Sequence, residues 1–148
     1  MKSLDVAHAE ILERLAELLP DSERQWGKMS CHQMIVHLSD SFRLPLGEKK
    51  ASKAGVPVPR GIFKWAALYL PMKWPHGVAT RPEMEQGVGG TALVEFVKDR
   101  EQLIDLIERF SKAQTASVMH PIFGAMTAQD WQRWGYLHCD HHLRQFGA

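Results

Sequence analysis

The residues best suited to chemistry lie near the end of the chain. They fall in the run Trp134-Gly135-Tyr136-Leu137-His138-Cys139-Asp140-His141-His142-Leu143-Arg144-Gln145-Phe146, where three of the eight histidines occupy five positions. On a helix, side chains four residues apart project about 40° from one another, one turn along the axis, so His138 and His142 would place two imidazoles where one metal ion can be shared. Trp131, Trp134, Leu137 and Phe146 give that helix an apolar side, and the two histidines fall within or beside it. His141, three residues from His138, is the substitute second ligand. A second reading stands beside the first: histidines in a final turn complement the negative end of the helix dipole, as Arg144 would.

A third imidazole comes from the first half of the chain. Ser30 followed by Gln33 has the form of a capping box, and it predicts a helix from Cys31 to about Leu44, before Pro45. Its apolar face runs through Met34, His37, Leu38 and Ser41, with Phe42 alongside, so His37 points inward. Three neutral imidazoles from two helices, His37, His138 and His142, would make a facial set around one divalent ion and leave a position for water or substrate. Such an all-nitrogen set suits Zn, Ni, Fe or Co without choosing among them. Gln33, Asp140 and Gln145 are candidates for the hydrogen bonds that orient the rings.

The remaining elements must position these helices. Leu4, Ala7, Ile11, Leu15, Leu18 and Leu19 predict an amphipathic first helix ended by Pro20, and Trp26 is the large apolar anchor of the connection that follows. Residues Pro45 to Gly61 form a linker in which Lys49, Lys50, Lys53 and Arg60 either meet an anionic substrate or, the favoured reading, sit on a solvated loop. Ile62 to Leu70 is apolar nearly all round and too short to span a bilayer, which makes it a buried helix or a subunit contact. Met72 to Gly90 is long and irregular, the form expected of a lid over a site. The pattern from Thr91 to Lys112 predicts the longest helix. In the connection from Ala113 to Met126, His120 precedes a proline and is expected to fix a turn, and Thr127 with Asp130 caps the last helix. No segment alternates with a period of two. The fold class is all-α, a four-helix bundle with an additional short helix and long loops.

Composition narrows the function. At 148 residues the chain is expected to form a single domain over 1–148, and its net charge of +1, from 18 basic and 17 acidic residues, gives no field suited to nucleic acid or to a membrane surface. Acidic residues interrupt the first apolar segment, which argues against a signal peptide, and with only Cys31 and Cys139 a cytoplasmic location with free thiols is expected. Glu-x-x-His pairs of the di-iron type and a G-x-S-x-G elbow are both absent from the sequence.

Three segments together carry a resemblance. W-x-x-M-S-x-x-Q-M-x-x-H-L (Trp26 to Leu38), H-P-x-F-G-x-M-T-x-x-D-W (His120 to Trp131) and H-x-D-H-H-L-R-Q-F-G (His138 to Gly147) make the chain resemble the DinB-like superfamily, and within it a branch of unassigned function. The resemblance implies a four-helix bundle, often a homodimer. It also implies a divalent metal held by one histidine of the second helix and an H-x-x-x-H pair of the last, here His37, His138 and His142. Characterised members that it brings with it include thiol S-transferases and a maleylpyruvate isomerase that use low-molecular-weight thiols. Two functions follow as expectations. One is a metal-dependent enzyme that activates a small thiol against an electrophilic small molecule. The other is a metal- or ligand-binding bundle without turnover, in a structural or sensing role.

Overall fold

Ser30 and Thr127 each open a helix by the same device. The Ser30 hydroxyl accepts from the Gln33 amide while the Gln33 side chain accepts from the Ser30 amide, and Thr127 and Asp130 exchange the same two bonds. Each reciprocal pair satisfies two N–H groups that the helix itself cannot, which stabilises the start by about 1 kcal/mol and fixes the register of everything after it.

In the computed structural model, which describes residues 1–115 and 117–148, five helices follow one another. They are α1 (Leu4–Ala16), α2 (Cys31–Arg43), α3 (Arg60–Tyr69), α4 (Phe96–Ser111) and α5 (Ala128–Gln145), with a short 3₁₀ turn at Pro82–Met84. Helices α1, α2, α4 and α5 form the bundle: α2 lies against α4 and α5, and α1 against α4 and α5. The short α3 packs on α5. The chain is therefore all-α, as its periodicity predicts; among the described residues the sole β-type pairing is a bridge between His120 and Gly124.

Ile11, Leu15, Leu38, Phe42, Leu103, Ile107, Phe110 and Trp131 are fully buried where the four helices meet. At roughly 1.5–3 kcal/mol for each large side chain, this core rather than helix propensity holds the bundle together. The closest approach is at Gly135 of α5. A Cβ there would sit 2.8 Å from Phe110 Cε1 and 3.1 Å from Leu4 Cδ2, so α4 and α1 come near enough to touch the α5 backbone.

Two boundaries differ from the sequence reading. Residues Thr91 to Glu95 lie outside α4, whose 16 residues make it shorter than the 18-residue α5. The Thr91 amide and hydroxyl are both held by the Asp40 carboxylate, and Val94 N–H donates to Asp99, so this stretch is tied to side chains in place of a helical ladder. Helix α1 stops at Ala16, short of Pro20, and Leu18 turns back into the core. Among the described residues, no helix is long and apolar enough to cross a membrane.

Candidate metal centre

Helix α2 delivers His37 and α5 delivers His138 and His142 to one point. Their candidate ligand nitrogens all lie within 4.8 Å of one another, and among the described residues they are the one group of three or more such side chains able to hold a metal ion. Ring centroids are 5.3 Å apart for His37 and His138, 4.8 Å for His37 and His142, and 4.9 Å for His138 and His142.

The surroundings assign two of the three tautomers. His37 Nδ1 lies 3.0 Å from the Met84 carbonyl, which can only accept, so Nδ1 carries the proton and Nε2 a lone pair. Gln145 donates its Nε2–H to the Trp26 carbonyl at 2.9 Å, which turns its Oε1 toward His142 Nδ1 at 2.8 Å and leaves the His142 Nε2 lone pair bare. Gly27 makes that approach feasible: its φ is +83°, and a Cβ would come within 2.5 Å of the Gln145 amide nitrogen. His138 places Nε2 3.3 Å from His37 Nε2, while its Nδ1 is buried without a partner.

Burial lowers the pKa of His37. Burial first, and then repulsion from His142 and His37, holds His138 well below the ordinary imidazole value, and burial followed by His37 does the same for His142. All three rings are thus kept uncharged at neutral pH. Convergent, neutral nitrogens with two bare lone pairs fit a divalent ion, so these residues suit the metal that the spacing suggested.

The triad opens on a cavity of about 750 Å³. Its wall is largely aromatic and aliphatic, with Phe63, Trp74, Met84, Ile122, Phe123 and Trp134 around the three histidines. The irregular segment after α3 forms one side: Trp74, Pro75, Gly77 to Arg81 and Met84 to Gln86 all line the space. The Trp74 indole is pinned by a bond to the Ala67 carbonyl, and the His76 ring stacks on Trp26 at 3.8 Å and 6°. Both cysteines are buried and neither lines this cavity; burial pushes the Cys31 thiol up to about 11 and the Cys139 thiol higher still.

Other candidates fall elsewhere. His141 lies beside the triad, in contact with the rings of Trp26, Trp74, His76 and His142, but is not part of the converging set. Burial, then Arg144 and His76, pushes it down to about 4. Of the three proposed supporting residues only Gln145 holds a ring. Gln33 is engaged in its capping box, and Asp140 pairs with Arg14 and Arg144. None of Lys49, Lys50, Lys53 and Arg60 lines the cavity; Lys49 pairs with Asp40, and Arg60 binds the carbonyls of Ala54, Pro121 and Ile122. His120 does fix a turn, its Nδ1 accepting from the Ile122 and Phe123 amides at 3.1 Å each. The Met84 carbonyl, which orients His37, leaves no mark in the side-chain pattern.

A profile described as the DinB superfamily matches residues 4–146. The chain belongs to the DinB superfamily. Comparison with curated proteins and with solved structures gave no match. The superfamily match covers every element named above, so the bundle and both site-bearing helices of this DinB protein lie inside it.

Proposed function

We propose that His37, His138 and His142 hold one divalent ion, of the Zn, Ni or Fe kind, and that the protein is a metal-dependent enzyme acting on a small electrophile with a low-molecular-weight thiol. Thiol S-transfer or thiol-dependent isomerisation are the reaction classes. The observation that carries this reading is the position of the three rings, convergent, uncharged and facing a cavity of about 750 Å³. A purely structural site would be closed by a fourth protein ligand, whereas this set has three members with open space beside it. When bound, the ion would supply the positive charge that lets a thiol ionise at neutral pH.

The protein's own residues have the other tasks. The Met84 carbonyl and Gln145 orient the rings, and the apolar wall takes the body of the substrate and excludes water. Because Cys31 and Cys139 are buried away from the cavity, the sulfur must arrive as a separate small molecule. The second reading, a metal- or ligand-binding bundle without turnover, is favoured by one observation: the single carboxylate on the cavity wall, Glu85, is exposed and stands ready for no defined proton transfer.

Elemental analysis of purified protein and of single variants tests the site. His37→Ala, His138→Ala and His142→Ala are each expected to lose metal, while His8→Ala and His76→Ala retain it. Stoichiometric metal in His37→Ala would rule the triad out, and loss in His141→Ala with retention in His142→Ala would mean the other spacing is used. A screen of thiols against electrophilic acceptors with the metal-loaded protein then separates the two readings. Turnover that disappears in the histidine variants supports the enzyme, and full metal with no turnover across the screen supports the binding bundle.

A further inference from the structure

His120 does more than close its turn. The segment His120-Pro121-Ile122-Phe123-Gly124 is bridged by two backbone bonds between His120 and Gly124, of 2.8 and 2.9 Å, and Arg60 grips two of its carbonyls. His120 is only 7% exposed, and its ring lies against the Phe123 ring at 4.5 Å and meets the Trp134 ring edge-to-face at 5.6 Å. Its Nδ1 faces two backbone N–H groups and must be an acceptor, so the ring proton sits on Nε2. That Nε2 has no hydrogen-bond partner among the described residues, yet it is not one of the fully occluded polar atoms. The open space that His120 borders is the cavity of the three histidines.

We infer that His120 presents Nε2–H to this cavity as a fixed hydrogen-bond donor for the carbonyl or carboxylate oxygen of a small ligand seated beside the three histidines. The inference rests on the site reading above and adds to it the chemical class of the bound molecule. An N–H that reaches an otherwise apolar cavity with no protein partner is open to a ligand oxygen, which keeps its hydrogen bond when water there is displaced. Two turn amides hold the ring as a neutral donor, and burial together with Arg60 pushes its pKa down to about 3, so it does not become a cation at physiological pH. Lys28 and Arg81 also border the cavity, against the one acid Glu85, which suits an acceptor that is neutral or anionic. The ligand is therefore an apolar or aromatic body carrying an oxygen acceptor, and benzoate is the simplest probe with both parts.

Two variants separate the turn from the donor. In His120→Asn the amide oxygen can replace Nδ1 in the turn but nothing reaches the Nε2 position, whereas His120→Gln can carry an N–H there. Calorimetric titration of the zinc-loaded protein with benzoate is expected to show at least about tenfold weaker binding in His120→Asn, with partial recovery in His120→Gln and unchanged zinc content. In the wild-type protein, long-range ¹H–¹⁵N spectra of labelled histidine are expected to show His120 protonated at Nε2, with that nitrogen moving on addition of benzoate. Equal affinity in His120→Asn, no benzoate binding to the wild type, or a proton on Nδ1 would each overturn the inference. If the wild-type protein holds no zinc, the three-histidine reading fails by itself. The spectra of metal-free protein with benzoate then decide for His120: a shift at Nε2 supports the donor role and its absence overturns it. The same wild-type spectra decide if His120→Asn does not fold.

Discussion

His37 Nε2 on α2 lies 3.3 Å from His138 Nε2 on α5. Since His37 carries its proton on the other nitrogen, at most one proton separates the two atoms, and a cation drawn to both would also be within reach of His142. The link between the helices is thus chemical as well as steric. It depends on neither ring being charged.

Metal removal and pH should act together. Burial holds the folded-state pKa of His37 below 6.5, and burial with mutual repulsion holds His138 and His142 well below it. The unfolded chain takes up protons from about pH 6.5 downward. Metal-free protein therefore has its full stability above that pH and loses it as pH falls toward the folded values. Protons compete with the ion for the folded site only below those lowered values. Metal-loaded protein is expected to melt at higher temperature than chelator-treated protein at neutral pH, and the gap should persist into mildly acid conditions before it closes. Paired thermal melts across this range check it. Closure of the gap near pH 6.5 would mean that the rings titrate as if exposed, and an unchanged gap at the lowest pH would point to carboxylate or thiolate ligands. Metal-free protein should still fold, because Phe42, Phe110 and Trp131 belong to a core that does not depend on the triad.

Gln145 is the residue through which α5 orients its own His142 ring. Gln145→Ala removes the partner of His142 Nδ1 and leaves the Trp26 carbonyl unpaired. Metal affinity, measured by competition with a chromophoric chelator, should fall by roughly 10–100-fold while the three ligands remain in place. An affinity equal to that of the wild type would show that His142 needs no such support.

Acid sensitivity should also come from Asp40. Burial pushes its carboxyl up, but hydrogen bonds from the Thr91 hydroxyl and amide, together with Lys49, outweigh that and hold it below the usual carboxylate range. A lowered folded value means stabilisation that is present above about pH 4, where the unfolded carboxyl is ionised, and lost as pH falls through the folded value. Asp40→Asn should cost roughly 1–3 kcal/mol in urea unfolding at pH 7. The difference from wild type should shrink at pH 3. A constant difference at both pH values would assign the effect to packing alone.

Assembly is the remaining expectation. Helix α3 buries Leu68 but leaves Ile62 and Trp65 63% and 56% exposed, with Met72 just beyond at 62%. An apolar surface of this kind suits a two-fold contact between copies. Light scattering at micromolar concentration should give a dimer, and Trp65→Asp should shift it toward monomer. A wild-type monomer would count against the contact.

What the sequence made legible was whatever depends on residue type at fixed spacing. Ser30 with Gln33, Thr127 with Asp130 and the His138, His142 pair are all local patterns, and helical geometry converts each directly into structure. What it hid depends on competition for partners or on the backbone. Gln33 has the right position to serve His37 but is engaged in its cap, and Asp140 is drawn away by two arginines from different helices. The Met84 carbonyl is a main-chain atom that any residue would offer, delivered by a 3₁₀ turn whose place against α2 is a tertiary matter. Thr91 to Glu95 scans as helix because nothing in its own spacing reveals the Asp40 carboxylate waiting on α2.

Gly135 stands one turn before His138, at the point where the Phe110 ring of α4 and the Leu4 side chain of α1 lean on the α5 backbone. A single methyl group at that position would sit only 2.8 Å from Phe110 Cε1, closer than an ordinary contact, and with Phe110 and Leu4 both fully buried the helices would have to shift to accommodate it. Such a shift carries His138 and His142 with it while His37 stays on α2. The absence of a side chain at one buried position thereby sets the span between His37 on α2 and the His138 and His142 pair on α5, and a mutation that never touches the three rings would be felt there as a change in the spacing of their nitrogens.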